Sequence, residues 1–447
     1  MPRRAESPAQ GGVVGGVDRR FRALVAAYAA SGYGNYLSLI ALSLFSYEVT
    51  DSALGVGLVM ALRLSSGFVA GLMAGALSDR TTRRAMMIGA DAAQCTAMVV
   101  LALCAASVPL WLLGCVVVVM GAGNTLFTVA LRSAVPSMVG QEARARANGL
   151  LVTGRSFATV LGFASAAPVI AFGGYAAAFA VNAASFAVCA AALLVLRPRT
   201  DDEDRGTPAE ADRTPGAEAA SRGLRPWQGL AAVPALLLGM IALRGIDALA
   251  SSSHNVALPV VAHAVEPLAP AAYMARFWAA WAVGTVVAHL VLSRTKGRSA
   301  WGVRAFVAGT CAMSAGFVAA FLGLPAVALM AAAAAAGFAD GWTEIVYTSR
   351  LQAAPDRQRS RLFGLSATAE TAGFGVGTVA AAAALEVLPA LTVVGAFHGA
   401  AVCGALLLLL FAAGGRGTAV SPESTSEEGQ GEDSHGTRTR AGRLPGS

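Results

Sequence analysis

Long apolar runs recur along this chain from near its start to near its end, and they restrict its possible folds more than any other feature. About 20 consecutive apolar residues in a helix cross the roughly 30 Å hydrocarbon core of a bilayer. Backbone in lipid must satisfy its own hydrogen bonds, so such runs fold as helices. The sequence therefore predicts an all-α polytopic membrane protein with twelve transmembrane helices. The predicted spans are 21–46, 52–77, 85–107, 109–133, 147–173, 174–196, 230–262, 269–293, 301–322, 324–347, 362–386 and 388–413.

The composition agrees with a membrane protein and argues against several other classes. Only 13% of residues are charged, against roughly 25% in an average soluble domain. All six cysteines fall inside predicted spans without paired spacing, which favours packing roles over disulfides or a metal site. No GxxxxGK[ST] phosphate loop occurs, so the chain is not predicted to hydrolyse ATP. We expect no cofactor, no enzymatic activity and no nucleic-acid partner.

Basic residues occupy alternate loops, and their positions predict the orientation in the membrane. Arg80, Arg83 and Arg84 follow the second span and Arg144 and Arg146 follow the fourth, whereas the intervening loops carry no Lys or Arg. Loops rich in Lys and Arg stay in the cytoplasm. We therefore predict a multi-pass protein of the cell membrane with both termini in the cytoplasm.

Composition also divides the chain into segments. Residues 1–20 are a polar cytoplasmic segment and residues 197–229 a charged cytoplasmic linker, while the tail at 414–447 has the composition of a disordered segment. Between them lie two predicted six-helix bundles, at 21–196 and 230–413.

An internal repeat supports two pseudo-symmetric halves. The sequence from Arg144 to Leu150, RARANGL, recurs as RSRLFGL from Arg359 to Leu365. We call the spacing between these two copies the repeat offset. Parallel six-helix repeats place a substrate site between the halves near the middle of the membrane. Transport by such a molecule would be a rocking of one half against the other.

The end of the second span carries a specific motif: Gly75 leads into Asp79-Arg80, followed by Arg83-Arg84. This motif resembles the loop 2–3 signature of the major facilitator superfamily, although Thr82 stands where the family usually has glycine. The resemblance implies a latch, in which the aspartate accepts hydrogen bonds from the start of helix 11 and closes the cytoplasmic side. An aspartate suits that role because the N-terminus of a helix attracts negative charge.

Further matches are similar to the drug-efflux branch of that superfamily, which includes macrolide and enterobactin exporters. They are Gly34-Asn35, Asp79-Arg80, Ala147-Asn148-Gly149 and Asn182 to Phe186. The resemblance implies a monomeric secondary active transporter that exports drug- or antibiotic-like molecules by proton antiport. A siderophore or other anionic metabolite is an alternative substrate, and a non-transporting membrane partner or sensor is a third possibility.

Charged residues inside the predicted spans are functional candidates, because an ionisable side chain in the bilayer costs several kcal/mol. Arg63, Arg155, Arg276 and Glu370 fall on spans 2, 5, 8 and 11, which line the junction between halves in the family. The repeat offset relates Arg155 to Glu370. Such positions suit a gating or coupling pair, with a structural salt bridge as the alternative. Glu370 is our first candidate for the coupling proton, with Arg155 as its counter-charge.

Two further charged pairs lie in the second half. Arg244 and Asp247 are three residues apart, so they share a helix face and can neutralise each other. Asp340 and Glu344 are four apart, and two charged carboxylates on one face repel, which favours a proton on one of them. Glu344 can instead pair with Arg350.

A smaller group of residues provides aromatic rings and hydrogen-bonding groups for a cavity. Tyr33, Asn35 and Tyr36 lie on the first span and Trp278 on the eighth. We predict that these residues contact substrate, with aromatic packing between helices as the alternative.

Overall fold

The computed structural model describes residues 18–198, 200, 234–294 and 302–414, and every regular element in these ranges is an α-helix. Predictions made for the N-terminal segment, the linker beyond residue 200 and the tail lie outside the described residues. The twelve helices fall on the twelve predicted spans, which confirms the fold class.

The first half comprises α1 (Arg19–Thr50), α2 (Ala53–Arg80), α3 (Arg83–Leu103) and a helical stretch from Leu110 to Leu196. Non-helical backbone interrupts that stretch at Gly140 (φ 76°) and Gly174 (φ 64°). Glycine adopts such angles at little cost. The two breaks divide the stretch into α4 (110–139), α5 (141–173) and α6 (175–196). We call α1–α6 the N half.

The remaining six helices, α7–α12, form the C half. Their bounds are α7 Ala235–Val265, α8 Pro270–Ser293, α9 Val303–Ala320, α10 Ala326–Gln352, α11 Asp356–Leu385 and α12 Ala390–Gly414.

Nine stretches of the described chain are long and apolar enough to cross a membrane, and one of them, Arg146–Leu196, contains both α5 and α6. The helices outside this set are α1 and α11. Each carries polar residues in its middle, Tyr33 and Asn35 in α1 and Glu370 in α11. A helix with polar residues at membrane depth turns them toward the protein interior, so these two helices belong at the junction of the halves.

The sequence repeat corresponds to a repeat in helix packing. Gly162 in α5 lies against α1, where an added Cβ would be 2.7 Å from the Tyr33 carbonyl oxygen. Gly377 in α11 lies against α7 in the same way, where a Cβ would be 2.6 Å from the Leu249 carbonyl oxygen. Small residues permit such close helix contacts in membranes. Since the repeat offset also separates the two glycines, the α1–α5 contact of one half is the α7–α11 contact of the other.

The hydrophobic core is shared by the two halves at one end of the molecule and is separate in each half at the other end. We call the end with the loops at 80–84, 140–146 and 352–356 the basic face and the other end the opposite face. One core cluster at the opposite face includes residues of both halves, among them Leu42, Phe163, Leu258 and Trp278. At the basic face the cores are separate, with one set in the N half and another in the C half.

Polar contacts also join the halves at the opposite face. Glu386, at the end of α11, accepts hydrogen bonds from the Leu54 amide (2.8 Å) and the Ser52 hydroxyl (3.1 Å) at the start of α2. Nearby, His263 of α7 lies 3.6 Å from the Glu48 carboxylate of α1. Among the described residues, these contacts join the two halves at the opposite face.

Candidate functional site

A cavity of about 730 Å³ lies between the halves. We call it the central cavity. Residues of α1, α2 and α4 line it on one side and residues of α7, α8 and α11 on the other. Most of these side chains are apolar, and Arg63 is the one ionisable residue among the described residues that line it. The lining includes Leu39, Ile40, Met60, Phe68, Leu72, Asn124, Asn255, Met274, Trp278, Thr371 and Phe374.

A second cavity of about 200 Å³ lies within the N half. We call it the N-half pocket. Its walls are mostly polar and include Tyr36, Gln94 and Arg155. Arg63 and Asn124 also line the central cavity. The two cavities therefore meet at Arg63.

Neutral amides hold Arg63 at this meeting point. Its Nη2 donates to the Asn35 Oδ1 at 3.2 Å, and the Asn35 Nδ2 donates in turn to the Asn124 Oδ1 at 3.3 Å. These bonds fix the guanidinium without neutralising it. Among the described residues, Arg63 forms no ion pair.

Arg155 extends from α5 into the same pocket. Its Nε donates to the Tyr36 hydroxyl at 3.0 Å, and the Tyr36 ring packs edge-on against Phe163 at 5.2 Å. The predicted counter-charge, Glu370, binds partners in the C half instead. In this state the two repeat-related charges are not an ion pair.

Asp91 and Gln94 of α3 complete the polar wall of the N-half pocket. Asp91 is 1% exposed and interacts with the Cys189 thiol. Sequence reasoning did not place Gln94 or Asn124 in a site. Polar residues in the middle of the third and fourth spans were the available signal.

In the C half, charges converge on one guanidinium. Arg244 of α7 is 14% exposed and lies 3.1 Å from Asp247, 2.6 Å from Glu344 and 3.9 Å from Glu370. Its guanidinium also lies over the Tyr347 ring, 5.9 Å from the centroid. We call Arg244 and its carboxylates the Arg244 cluster.

The cluster contains more negative than positive charge. Asp340, one turn before Glu344, also interacts electrostatically with Arg244, so four carboxylates share one arginine. Asp247 is 6% exposed, whereas Glu344 and Glu370 are 48% and 37% exposed. Like charges this close repel one another, and Arg244 is the positive charge placed among them.

Hydroxyl groups extend the cluster at Glu370. The Ser366 hydroxyl donates to Glu370 at 2.6 Å, and the Tyr347 hydroxyl donates to Ser366 at 2.6 Å. The Glu370 carboxylate is therefore partly exposed and ends a chain of hydrogen bonds that runs from Tyr347 through Ser366.

Arg276 lies elsewhere. It pairs with Glu266 and donates to the Ala272 carbonyl oxygen, beside the loop at the opposite face. The structure places it outside both cavities and outside the Arg244 cluster.

The loop 2–3 motif binds within the N half. Arg83 donates to the Thr200 carbonyl oxygen at 3.1 Å, and Arg84 donates to the carbonyl oxygens of Leu193 (3.0 Å) and Leu194 (3.1 Å) at the end of α6. Arginine near a helix C-terminus satisfies the last carbonyls.

The other members of the motif have simpler surroundings. Gly75 faces open space and Arg80 is exposed, while the Asp79 side chain lies outside the described residues. Thr82, where the family usually has glycine, caps α3 by accepting from the Ala85 amide at 3.2 Å. The threonine therefore gives α3 a defined start.

Three of the four predicted aromatic and amide residues line a cavity, and Tyr33 lies between helices instead. Asn35 and Tyr36 line the N-half pocket, and Trp278 lines the central cavity and stacks on Phe163 of the other half at 5.6 Å. Tyr33 accepts a hydrogen bond from Ser165 at 2.9 Å between α1 and α5.

A buried histidine pair in the C half has no counterpart among the predicted sites. His254 and His398 lie 3.2 Å apart between ring nitrogens, and the His254 ring stacks on Phe317 at 3.8 Å. The two histidines are 144 residues apart, so their pairing left no local signal in the sequence.

Comparisons with known proteins agree with this architecture. A family model described as Major Facilitator Superfamily matches residues 24–378. No curated protein matches the sequence significantly.

Solved structures with the same fold have low sequence identity to the chain. The POT family transporter PepTSo matches with a TM-score of 0.66 at 13% identity, over 90% of this chain and 99% of that one. The nucleoside transporter NupG matches with 0.66 at 13%, over 87% and 99%. A bacterial homologue of the human lysosomal transporter Spinster, inward-facing and unoccupied, matches with 0.63 at 15%, over 89% and 96%.

Proposed function

This chain belongs to the major facilitator superfamily and is a multi-pass membrane transporter, and from that premise we propose that it exports a small molecule by proton antiport. The central cavity between pseudo-symmetric halves is the observation that carries the proposal. A cavity of about 730 Å³ has the size of a small-molecule site, since such sites measure roughly 300–1,000 Å³.

Alternating access is supported by the distribution of contacts between the halves. The shared core and the Glu386 contact join the halves at the opposite face, while the basic face has separate cores. With the basic face in the cytoplasm, these contacts support an inward-facing assignment of the described state. Rocking would separate the shared core and bring the basic-face ends together, where the loop 2–3 motif is the proposed latch.

The Arg244 cluster is the proposed site of proton coupling. Its carboxylates outnumber its arginine, and Glu370 and Glu344 are partly exposed. A proton can therefore reach the cluster in one state and leave it in the other. Glu370 remains the first candidate and Asp340 the second.

The direction of transport is proposed from the likeness to drug exporters. It rests on the matches at Gly34-Asn35 and from Asn182 to Phe186. The structure adds a largely apolar central cavity, which suits an amphiphilic drug- or antibiotic-like molecule.

The deciding experiment measures accumulation of a panel of labelled drugs in a host that lacks its own efflux pumps. Cells that express the chain should accumulate less of at least one compound, and an uncoupler should abolish the difference. A matched strain that expresses Glu370→Gln controls for the presence of the protein in the membrane. Equal accumulation with and without the chain across the panel would contradict drug export.

The proposed orientation has its own test. Reporter fusions after Arg197 and at the C-terminus should report the cytoplasm, and fusions near Asp51, Pro109 and Glu266 the exterior. A C-terminal fusion that reports the exterior would reverse the orientation and the inward-facing assignment.

A further inference from the structure

The two arginines of the N-half pocket have no ionic partner among the described residues. Arg244 and Arg276 both contact carboxylates, whereas Arg63 and Arg155 contact the neutral Asn35 and Tyr36. Arginine stays charged in proteins. Two uncompensated positive charges lining one small cavity at membrane depth favour an anion between them.

The one carboxylate that lines the pocket does not supply that anion. Asp91 is 1% exposed, and its interaction is with the Cys189 thiol. It forms no ion pair among the described residues. Asp91 therefore lines the pocket without pairing with either arginine, which leaves both arginines available to a ligand.

The guanidinium groups are positioned and still have donors to offer. Each makes one side-chain hydrogen bond, Arg63 to Asn35 at 3.2 Å and Arg155 to Tyr36 at 3.0 Å. A guanidinium carries five N–H donors in a planar fork. Carboxylate, phosphate and sulfonate oxygens match that fork and form strong charge-assisted bonds with it.

The position of Arg63 at the meeting of the two cavities indicates the shape of the ligand. From Arg63 the N-half pocket is polar and about 200 Å³, whereas the central cavity is about 730 Å³ and presents apolar groups such as Phe68, Trp278 and Phe374. A molecule that fills both has a small acidic end and a larger apolar body.

We propose that the chain binds an amphiphilic organic anion, with its acidic group between Arg63 and Arg155 and its apolar body in the central cavity. The proposal rests on the transport function above and names the chemical class of its substrate. The competing class is an amphiphilic cation bound at the Arg244 cluster. The geometry favours the anion, because Arg63 is the ionisable residue in the central cavity lining and the cluster carboxylates are not part of it.

Equilibrium dialysis with three matched probes tests the proposal. The purified full-length chain in detergent is dialysed against radiolabelled naphthoate, naphthamide or naphthylmethylammonium, with empty micelles as the blank. The three share an aromatic body and differ in charge. Wild-type protein should retain naphthoate roughly tenfold more tightly than the other two, as expected for charge-assisted hydrogen bonds.

Three variants assign that preference to residues. Arg63→Gln and Arg155→Gln should each lose the preference for naphthoate and keep the weak retention of naphthamide. Arg63→Lys, which keeps the charge, should keep part of the preference for naphthoate. Arg276→Gln, outside both cavities, is the matched control and should bind as wild type. Monodisperse elution in gel filtration shows that each variant is folded. If Arg63→Gln does not fold, Arg63→Lys replaces it, and its preference for naphthoate should be weaker than that of the wild type.

The outcomes separate this proposal from the proposed function. Equal retention of the three probes, retention of none, a preference for the ammonium, or an undiminished naphthoate preference in both glutamine variants would overturn the anion site. Dialysis uses no proton gradient, so it is independent of coupling and direction. Naphthoate binding in a protein that shows no uphill transport would leave the anion site intact and overturn antiport. Uphill drug transport by a protein that does not bind naphthoate would overturn the anion site and leave antiport intact.

Discussion

The two halves share a helix arrangement and differ in their buried charge. In the N half, Arg63 and Arg155 meet neutral amide and phenol groups. In the C half, Arg244 meets Asp247, Glu344 and Glu370. The two halves therefore share their helix packing and differ in chemistry. Among the described residues, the two arginines of the N-half pocket have no ionic partner, whereas in the C half several carboxylates surround one arginine.

The same difference is visible at one pair of equivalent positions. Arg155 and Glu370 are related by the repeat offset and occupy corresponding helices, yet they have opposite charges and separate partners. The proposed division of work is therefore asymmetric, with ligand binding in one half and proton exchange in the other. Substitutions in each half test that division.

The largest expected effect is the loss of stability on neutralising Arg244, compared with the small effect of neutralising Arg63. Arg244→Gln leaves a group of buried or half-buried carboxylates without a counter-charge, so the free energy of unfolding should fall by about 3–5 kcal/mol. Arg63→Gln removes one hydrogen bond to an amide and should change it by roughly 0.5–1.5 kcal/mol. Thermal unfolding of the purified proteins in detergent at neutral pH measures both.

A pH series adds a control to that comparison. Lowering the pH protonates the unpaired carboxylates, so the deficit of Arg244→Gln should shrink, while that of Arg63→Gln should not. Equal unfolding temperatures for the two variants at neutral pH would contradict the assigned difference between the halves.

The second effect concerns coupling. Glu370→Gln cannot release a proton, so transport driven by an imposed pH gradient in proteoliposomes should be abolished. Counterflow of the same substrate should continue, because the binding site remains. Arg155→Gln is the matched variant in the N half and should still respond to the gradient, with weaker substrate binding. Wild-type gradient-driven transport by Glu370→Gln would remove this residue from the mechanism and assign the proton to Asp340.

The third effect concerns the basic face, the site of the proposed latch. Asp79→Asn removes the charge of the proposed latch and should lower the transport rate several-fold while membrane abundance stays near wild type, because a latch residue biases conformations and leaves the core intact. Initial rates normalised to immunoblot intensity measure this. An unchanged rate would show that the latch aspartate is dispensable.

The smallest effect concerns the opposite face, where the halves are joined. Glu386→Gln replaces a carboxylate that accepts two hydrogen bonds at the start of α2, a position where negative charge is worth roughly 0.3–1 kcal/mol. The population open at the opposite face should rise about two- to fivefold. Labelling of a cysteine placed at Ser43, in a background without native cysteines, by an impermeant thiol reagent from that side measures the change. Val387→Ala is the control, and equal labelling rates would contradict the role of Glu386.

The helices were predictable, because hydropathy reports directly on the surrounding lipid. The runs near 85–107 and 388–413 could be located from their apolar residues alone. Even α1 and α11, which are less apolar than the other helices, were located from their apolar runs at 21–46 and 362–386.

Pairings between distant helices were not predictable, because the sequence gives the depth of a residue and not its direction around the helix axis. Arg155 and Glu370 have equivalent depths, and the structure gives them separate partners. Arg244 and Glu344 are 100 residues apart, and Glu386 and Leu54 are 332 apart. Neutral pocket residues such as Asn124 were missed for another reason: an amide in a span lacks the large insertion cost that marks a charge.

The apolar core shared by the halves at the opposite face has a thermodynamic consequence. Opening that face must separate side chains such as Leu42 and Leu258 and bring water to surfaces that are now dry. Exposure of apolar surface to water raises the heat capacity by about 0.45 cal/K/mol per Å², and the attraction between such surfaces weakens on cooling. Cooling should therefore favour the state open at the opposite face, and the transport rate should follow a curved Arrhenius plot.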